Sequence, residues 1–127
     1  MSTIRVDNFG PSAGGTTYSA RGIAKAWVNF NGTGTIAARD SENVSSLTDN
    51  GTGDYTVNIG NDMADANYLF LGASRGTTAG NARGVGSALS KTAAALRFDT
   101  VYVSSLGAVG TNIDDSEVDA AVFGDLA

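Results

Sequence analysis

The sequence predicts an all-β protein: an antiparallel, jelly-roll-like β-sandwich preceded by an extended N-terminal arm. Three observations predict it. About seven short segments alternate apolar and polar residues with the period of two that sends successive side chains to opposite faces of a strand. Clusters such as Asn31-Gly32-Thr33-Gly34 and Asp49-Asn50-Gly51-Thr52-Gly53 separate them with residues that accept the positive φ of tight turns. Helical character is confined to residues 88–96, enough for a turn or two. Short strands with frequent turn signals are the pattern of an antiparallel sandwich.

Residues 1–22 open with Ile4 and Val6 on one side of an extended segment, broken at Phe9-Gly10-Pro11 and followed by a Gly/Ser/Thr-rich stretch. This reads as an arm and linker that anchors the domain of residues 23–127. Residues 24–30 are the first strand, with Ala26, Val28 and Phe30 facing inward and Lys25, Trp27 and Asn29 outward. A turn at 31–34, a short strand at 35–39 and a turn at 40–43 follow. A strand at 44–48 meets the strongest hairpin signal, at 49–53. Residues 54–59 then alternate with Tyr55, Val57 and Ile59 inward. The two Asn-Gly-Thr-Gly turns, beginning at positions 31 and 50, suggest one strand–turn unit used twice.

Residues 67–73 are apolar on both faces, Tyr68 and Phe70 against Leu69 and Leu71, as in a strand buried on both sides, either in a sheet centre or at a subunit contact. Residues 74–90 read as a long Gly/Ala/Ser/Thr loop displayed at the surface, with Val85 and Leu89 as its apolar anchors. A strand at 96–103 alternates Leu96, Phe98, Thr100 and Tyr102 against Arg97, Asp99, Val101 and Val103. A second displayed loop at 104–117 leads to a last strand at 118–123, with Val118, Ala120 and Val122 on one side.

The 127 residues suffice for one domain with a modest core, and 42% hydrophobic against 17% charged residues is a globular composition. The net charge of −5, with eight basic residues scattered singly, argues against a nucleic-acid phosphate backbone as partner. No apolar run is long enough to insert in a membrane as a helix, and the first residues lack the apolar stretch of a signal peptide.

The chain lacks histidine and cysteine, which removes the commonest general base, the thiol nucleophile and the thiolate metal ligand. Ser41, Ser45, Ser46, Ser104 and Ser105 have no partner base in the pattern. Asp40, Glu42, Asp54 and Asp62 are the carboxylates from which an acid pair for glycoside cleavage would come; the reading preferred is that they cap turns and solvate the surface, so that no enzyme and no cofactor is expected. Two acidic clusters have the oxygen ligands calcium takes, Asp62 with Asp65 and Asp114 with Asp115 and Glu117, but neither has a specified cation-loop spacing. The G-x-G triplets at 32–34, 51–53 and 84–86 lack the rest of a phosphate-binding fingerprint. Asn31, Asn43 and Asn50 begin N-x-S/T triplets and read as turn residues.

Aromatics carry the remaining signal. Trp27 faces away from the inner face of its strand, and Tyr18, Tyr68 and Tyr102 sit near strand ends or on mixed faces. Such rings beside Asn and Asp suit stacking on a sugar, or packing against a second sheet or a neighbouring subunit.

Residues 25–68 resemble a segment of small tail-fibre and other virion structural proteins of tailed bacteriophages, particularly those infecting marine bacteria and cyanobacteria. The resemblance lies in the AWVNFNGTGT run from Ala26, the Asp40–Ser46 run, TDNGTGDYTV from Thr48 and ADANY from Ala64; the opening MSTIRVD and the closing VDAAVFG add to it. It implies a β-structured virion component, made in the host cytoplasm and assembled as a homo-oligomer, expected to be a trimer. A short tail fibre or fibre tip held to other virion proteins through residues 1–22, contacting a host surface glycan or protein, is the first expectation. A capsid decoration or head-fibre protein is the alternative. The chain has no long shaft, repeat array or heptads, and the resemblance carries no ligand-contacting residues.

Overall fold

The computed structural model describes residues 8–9, 13–16, 18–19, 22–77, 82–105 and 109–127; Ile4 and Val6 lie outside the described residues. Strands β1 (Asn8–Phe9) and β2 (Tyr18–Ser19) pair as a small antiparallel ribbon within residues 1–22. The domain follows with β3 (Ala26–Asn31), β4 (Ala37–Glu42), β5 (Val44–Gly51), β6 (Asp54–Ile59), β7 (Leu69–Arg75), β8 (Ala82–Thr92), β9 (Ala95–Val103), β10 (Thr111–Asn112) and β11 (Glu117–Phe123).

These form the expected two-layer antiparallel sandwich. One sheet has the order β4-β3-β11-β7, and the other runs β10-β9-β6-β5 with β8 on the remaining edge of β9. The consecutive antiparallel pairs β3–β4, β5–β6, β8–β9 and β9–β10 each stay within one sheet, while the last strand returns to lie beside β3.

The core is the set of inward positions that alternation selects: Ala26, Val28 and Phe30 of β3; Tyr55, Val57 and Ile59 of β6; Leu96, Phe98 and Thr100 of β9; and Val118, Ala120 and Val122 of β11. Phe30 meets the Tyr55 ring edge-on, centroids 5.1 Å apart at 80°, and Phe70 approaches Phe98 at 5.2 Å. Such aromatic pairs add about 0.5–1.5 kcal/mol to the area they bury. Met63 and Tyr68, buried in the β6–β7 connection, extend the core.

Four expectations are corrected. The segment around β7 is not a sheet centre buried on both faces: it is an edge strand, and within the single chain Leu69 and Leu71 are 56% and 54% exposed because no third layer covers that sheet. The loop expected at 74–90 is mostly strand, since β7 continues to Arg75 and β8 begins at Ala82; residues 78–81 lie outside the described residues. β8 is held by pairing with β9, and its register shifts between Val85 and Ala88 and again between Ala88 and Ser90, which erases the period of two. The helical leaning at 88–96 yields to that pairing, a tertiary override of the propensity of alanine. Nor is 40–43 a turn as a whole: β4 runs through Glu42 and only Asn43 makes the corner.

That corner moves the chain from one sheet to the other. Asn43 adopts φ 53°, the left-handed conformation that asparagine tolerates better than most residues. Its side-chain amide donates to the carbonyls of Lys25 (2.9 Å) and Asn61 (3.1 Å) and its Oδ1 accepts from the Asn61 N–H (2.6 Å). The start of β3, the end of β6 and the β4–β5 corner are thereby tied together. Replacing Asn43 by alanine removes these bonds and strains the backbone, and is expected to cost about 2–4 kcal/mol in urea unfolding. Asn43→Gly, which keeps the conformation, should fall between the two; an Asn43→Ala protein as stable as the parent would contradict this role.

Candidate functional site

The loop before β11 is exposed at residues 104–105, 109–112 and 114, and its acidic end is bonded into the fold. Residues 113–116 form a hub to which six strands or their connections are bonded. The Ile113 N–H donates to the Thr100 carbonyl (3.0 Å) and the Thr100 hydroxyl donates to the Ile113 carbonyl (2.6 Å), tying the hub to β9. The Asp114 carboxylate accepts from the Gly53 N–H (2.7 Å) and lies 3.0 Å from the Tyr55 hydroxyl, whose proton it shares with the Gly32 carbonyl at 2.9 Å. The Gly32 N–H in turn donates to the Asp115 carbonyl (3.0 Å). Arg39 of β4 donates to the Ser116 carbonyl, and the Ser116 hydroxyl to the Arg75 carbonyl at the end of β7 (3.2 Å).

Gly32 and Gly53 show why the two Asn-Gly-Thr-Gly turns have glycine where they do. A Cβ on Gly32 would stand 2.6 Å from the Tyr55 hydroxyl and 2.7 Å from the Asp115 carbonyl oxygen. On Gly53, at φ 62°, it would stand 2.5 Å from the Ile113 nitrogen. The first turn uses its first glycine against the hub and the second turn its second, so the 19-residue spacing is not a structural repeat.

Asp115 is fully buried and its carboxylate pairs with Arg83 of β8, itself nearly buried; Asp115 Oδ2 and Arg83 Nε have no partner among the described residues. The carboxylates of Asp114 and Asp115, candidate calcium ligands in the sequence, are thus engaged by protein donors. Glu117 pairs with Arg75 at 2.9 Å. Asp65 accepts from the Asn67 N–H (2.7 Å), and the Asp62 carbonyl receives the Ala127 N–H. Among the described residues no three acidic side chains gather as metal ligands would.

The carboxylates suggested for an acid pair are also dispersed. Asp40 and Glu42 lie on β4, opposite Asn29 and Trp27, on the outer face of the four-stranded sheet. Asp54 belongs to the other sheet and is bound by Arg97 through two bonds of 2.9 and 2.6 Å, which hold its carboxyl below the usual carboxylate range. Asp62 sits beyond β6. Of the aromatics, Tyr68 is buried, donates to the Ala95 carbonyl (2.9 Å) and lies under the Lys91 ammonium, 5.1 Å from its ring centroid. Tyr102 is half-buried on β9, and the Tyr18 side chain lies outside the described residues.

Trp27 borders an open groove on the outer sheet face, while Tyr68 and Phe123 line a separate, more polar hollow with Asp65 and Asp125. In register across three strands, Trp27, Ala121 and Leu71 form one row on the outer face of the four-stranded sheet, and Asn29, Asp119 and Ala73 form the next. The small residues make the floor, and Trp27 and Leu71 the walls, of a shallow groove of about 340 Å³ with Asp119 at its polar end. Asn29 donates to Asp119 at 2.7 Å, which fixes both side chains. Trp27 was legible as an outward aromatic. Leu71 reads from the sequence as buried and lies on the open face of the single chain, and the signal for Asp119 is that it is the one charge in an otherwise apolar final strand beyond Glu117.

The chain matches no protein-family model, no curated protein and no solved structure.

The buried pair sets a stability test. Asp115→Ala leaves the Arg83 charge buried and is expected to cost about 3–5 kcal/mol by chemical denaturation, with Arg83→Met in the same chain recovering at least half. Additive losses in the double variant would contradict the pairing. A second test is alkaline. Burial, reinforced by the Asp114 carboxylate, pushes the Tyr55 hydroxyl far above its ordinary value of 10.0, and burial raises Tyr68 as well. A raised folded value means a contribution fully present below about pH 10 and lost as pH rises through the folded value. Tyr55→Phe should therefore unfold less steeply with rising pH above that point than the parent; an unchanged alkaline slope would count against the burial of this hydroxyl.

Proposed function

We propose that this chain is a non-enzymatic structural subunit of a tailed-phage particle, a short tail fibre or fibre-tip component that assembles as a homotrimer and contributes to attachment at the host surface. The residues that carry the resemblance, 25–68, span β3 to β6 and contain both turns that close onto the hub. The observation that supports an attachment role best is the groove beside Trp27: an open, mixed apolar and polar surface on a sheet whose register is fixed from beneath. The carboxylates a catalyst would need are spent on bonds that hold the sandwich together or lie apart on different faces.

The displayed element is accordingly the outer face of β3, β11 and β7, in place of the loops at 74–90 and 104–117. Residues 1–22 serve as the attachment to other virion proteins, and repeated weak contacts from several copies gain about 10²–10⁴ in avidity.

Light scattering on the full chain and on residues 23–127 tests the assembly. A trimer that persists without residues 1–22, together with loss of incorporation into particles, is the expected result. A monomer in both forms that binds purified capsids instead would contradict the fibre reading and favour a capsid decoration protein.

A further inference from the structure

We infer that the groove between Trp27 and Leu71 is a binding site for a neutral sugar ring, with Trp27 as stacking platform and the Asn29–Asp119 pair as the hydroxyl-binding end. The inference deepens the attachment reading above and rests on it. Three properties of the face select this occupant over a second copy of the chain.

The first is shape. Trp27 and Leu71 flank Ala121 in one cross-strand row, so their backbones are two strand spacings, about 10 Å, apart with a methyl group between. That is a slot for something flat and narrow, and its volume of about 340 Å³ is at the small end of ligand sites. A packed protein face would instead meet a ridge and its own complementary hollow.

The second is charge. Asp40, Glu42 and Asp119 share this face, offset in part by Arg39 at the Asn29 end, and Glu117 is compensated by Arg75, which leaves carboxylates in excess. Turning the same face of another copy onto it would set these carboxylates against like charges, which disfavours a self-complementary contact. An anionic ligand meets the same obstacle. A neutral polyhydroxyl ring does not.

The third is the order already present at the polar end. Asn29 and Asp119 hold each other, and Arg39 reaches the Asn29 Oδ1 at 3.4 Å. A carboxylate has up to four acceptor sites and an amide nitrogen two donors, so each keeps capacity for a ligand after the mutual bond is made. A sugar presents both needs on one ring: an apolar face of C–H groups for Trp27, a third of whose surface is open, and hydroxyls for the fixed polar pair.

Trp27 is the single tryptophan of the chain, so its fluorescence reports on the groove directly. The full-length protein is titrated with the methyl glycosides of glucose, galactose, mannose and N-acetylglucosamine, with N-acetylneuraminic acid as the charged comparison. The expected result is a saturable change in Trp27 emission with at least one neutral glycoside, at a dissociation constant of about 1 mM, typical of a ligand with a dozen heavy atoms. N-acetylneuraminic acid should give none. Ala121→Leu, which keeps Trp27 and fills the slot from an outward strand position, should weaken binding about tenfold or more with unchanged thermal unfolding.

No saturable change with any neutral glycoside up to about 100 mM, a hundredfold above the expected constant, overturns the inference. So does an emission that shifts with protein concentration together with a loss of assembly mass in Ala121→Leu, which would assign the face to a second copy. If host cells are still bound by a protein that binds none of the glycosides, the sugar site fails while the attachment reading stands.

Discussion

Every strand of the four-stranded sheet, and β6, β8 and β9 of the other, depends on residues 113–116. Two consecutive carboxylates there do different work. Asp114 is an acceptor aimed at the opposing sheet, taking the Gly53 N–H and the Tyr55 hydroxyl. Asp115 turns the other way into an ion pair with β8. A sandwich core supplies non-directional attraction and leaves the sliding of one sheet over the other weakly specified. Charged acceptors on the segment that enters β11 of one sheet, with fixed donors on β6, β8 and the β5–β6 turn of the other, specify it, and the fully buried Asp115 is expensive to disturb.

The same segment sets the outer face. Gly32, bonded to the Asp115 backbone, follows the last residue of β3, and Ser116 immediately precedes β11. Their junction fixes the register in which Val118 opposes Phe30, Asp119 opposes Asn29 and Ala121 opposes Trp27. A slip of one residue would turn Trp27 into the core and Val28 out to solvent. The surface groove is therefore a consequence of a partly buried polar arrangement at the far end of the same strands, which is how a chain with 17 glycines and no disulfide holds a surface rigid.

Much of this was legible in the sequence, for a reason that also marks where legibility stops. The strands that make the core, β3, β6, β9 and β11, each have one buried and one open face, and period two states that directly. Strand β8 has no such face. Its residues are mostly exposed, two register shifts break their phase, and only the neighbouring β9 decides that they are extended. Strand β7 is apolar on both sides, which sequence reads as double burial and the fold uses as a core face and an open one. The hub was the least visible element. Asp114-Asp115-Ser116-Glu117 has the look of a solvated acidic loop, and its partners Tyr55 and Gly53 lie 59 and 61 residues away. No local pattern encodes such a pairing; a glycine whose Cβ would strike another segment is its only trace, and that trace is readable only with the segment in place.

The claim that residues 113–116 lock the two sheets is tested most directly by native-state hydrogen exchange at individual amides. The amides of Gly32, Gly53, Thr100 and Ile113 each donate to a backbone or side-chain acceptor at this junction. The account predicts that they exchange only through global unfolding, with the same free energy as core amides of β6 and β9 and the same dependence on denaturant. Exchange of Gly32 and Ile113 at the rate of open loops, while Val57 and Phe98 remain protected, would contradict it and show the sandwich to be held by its apolar core alone.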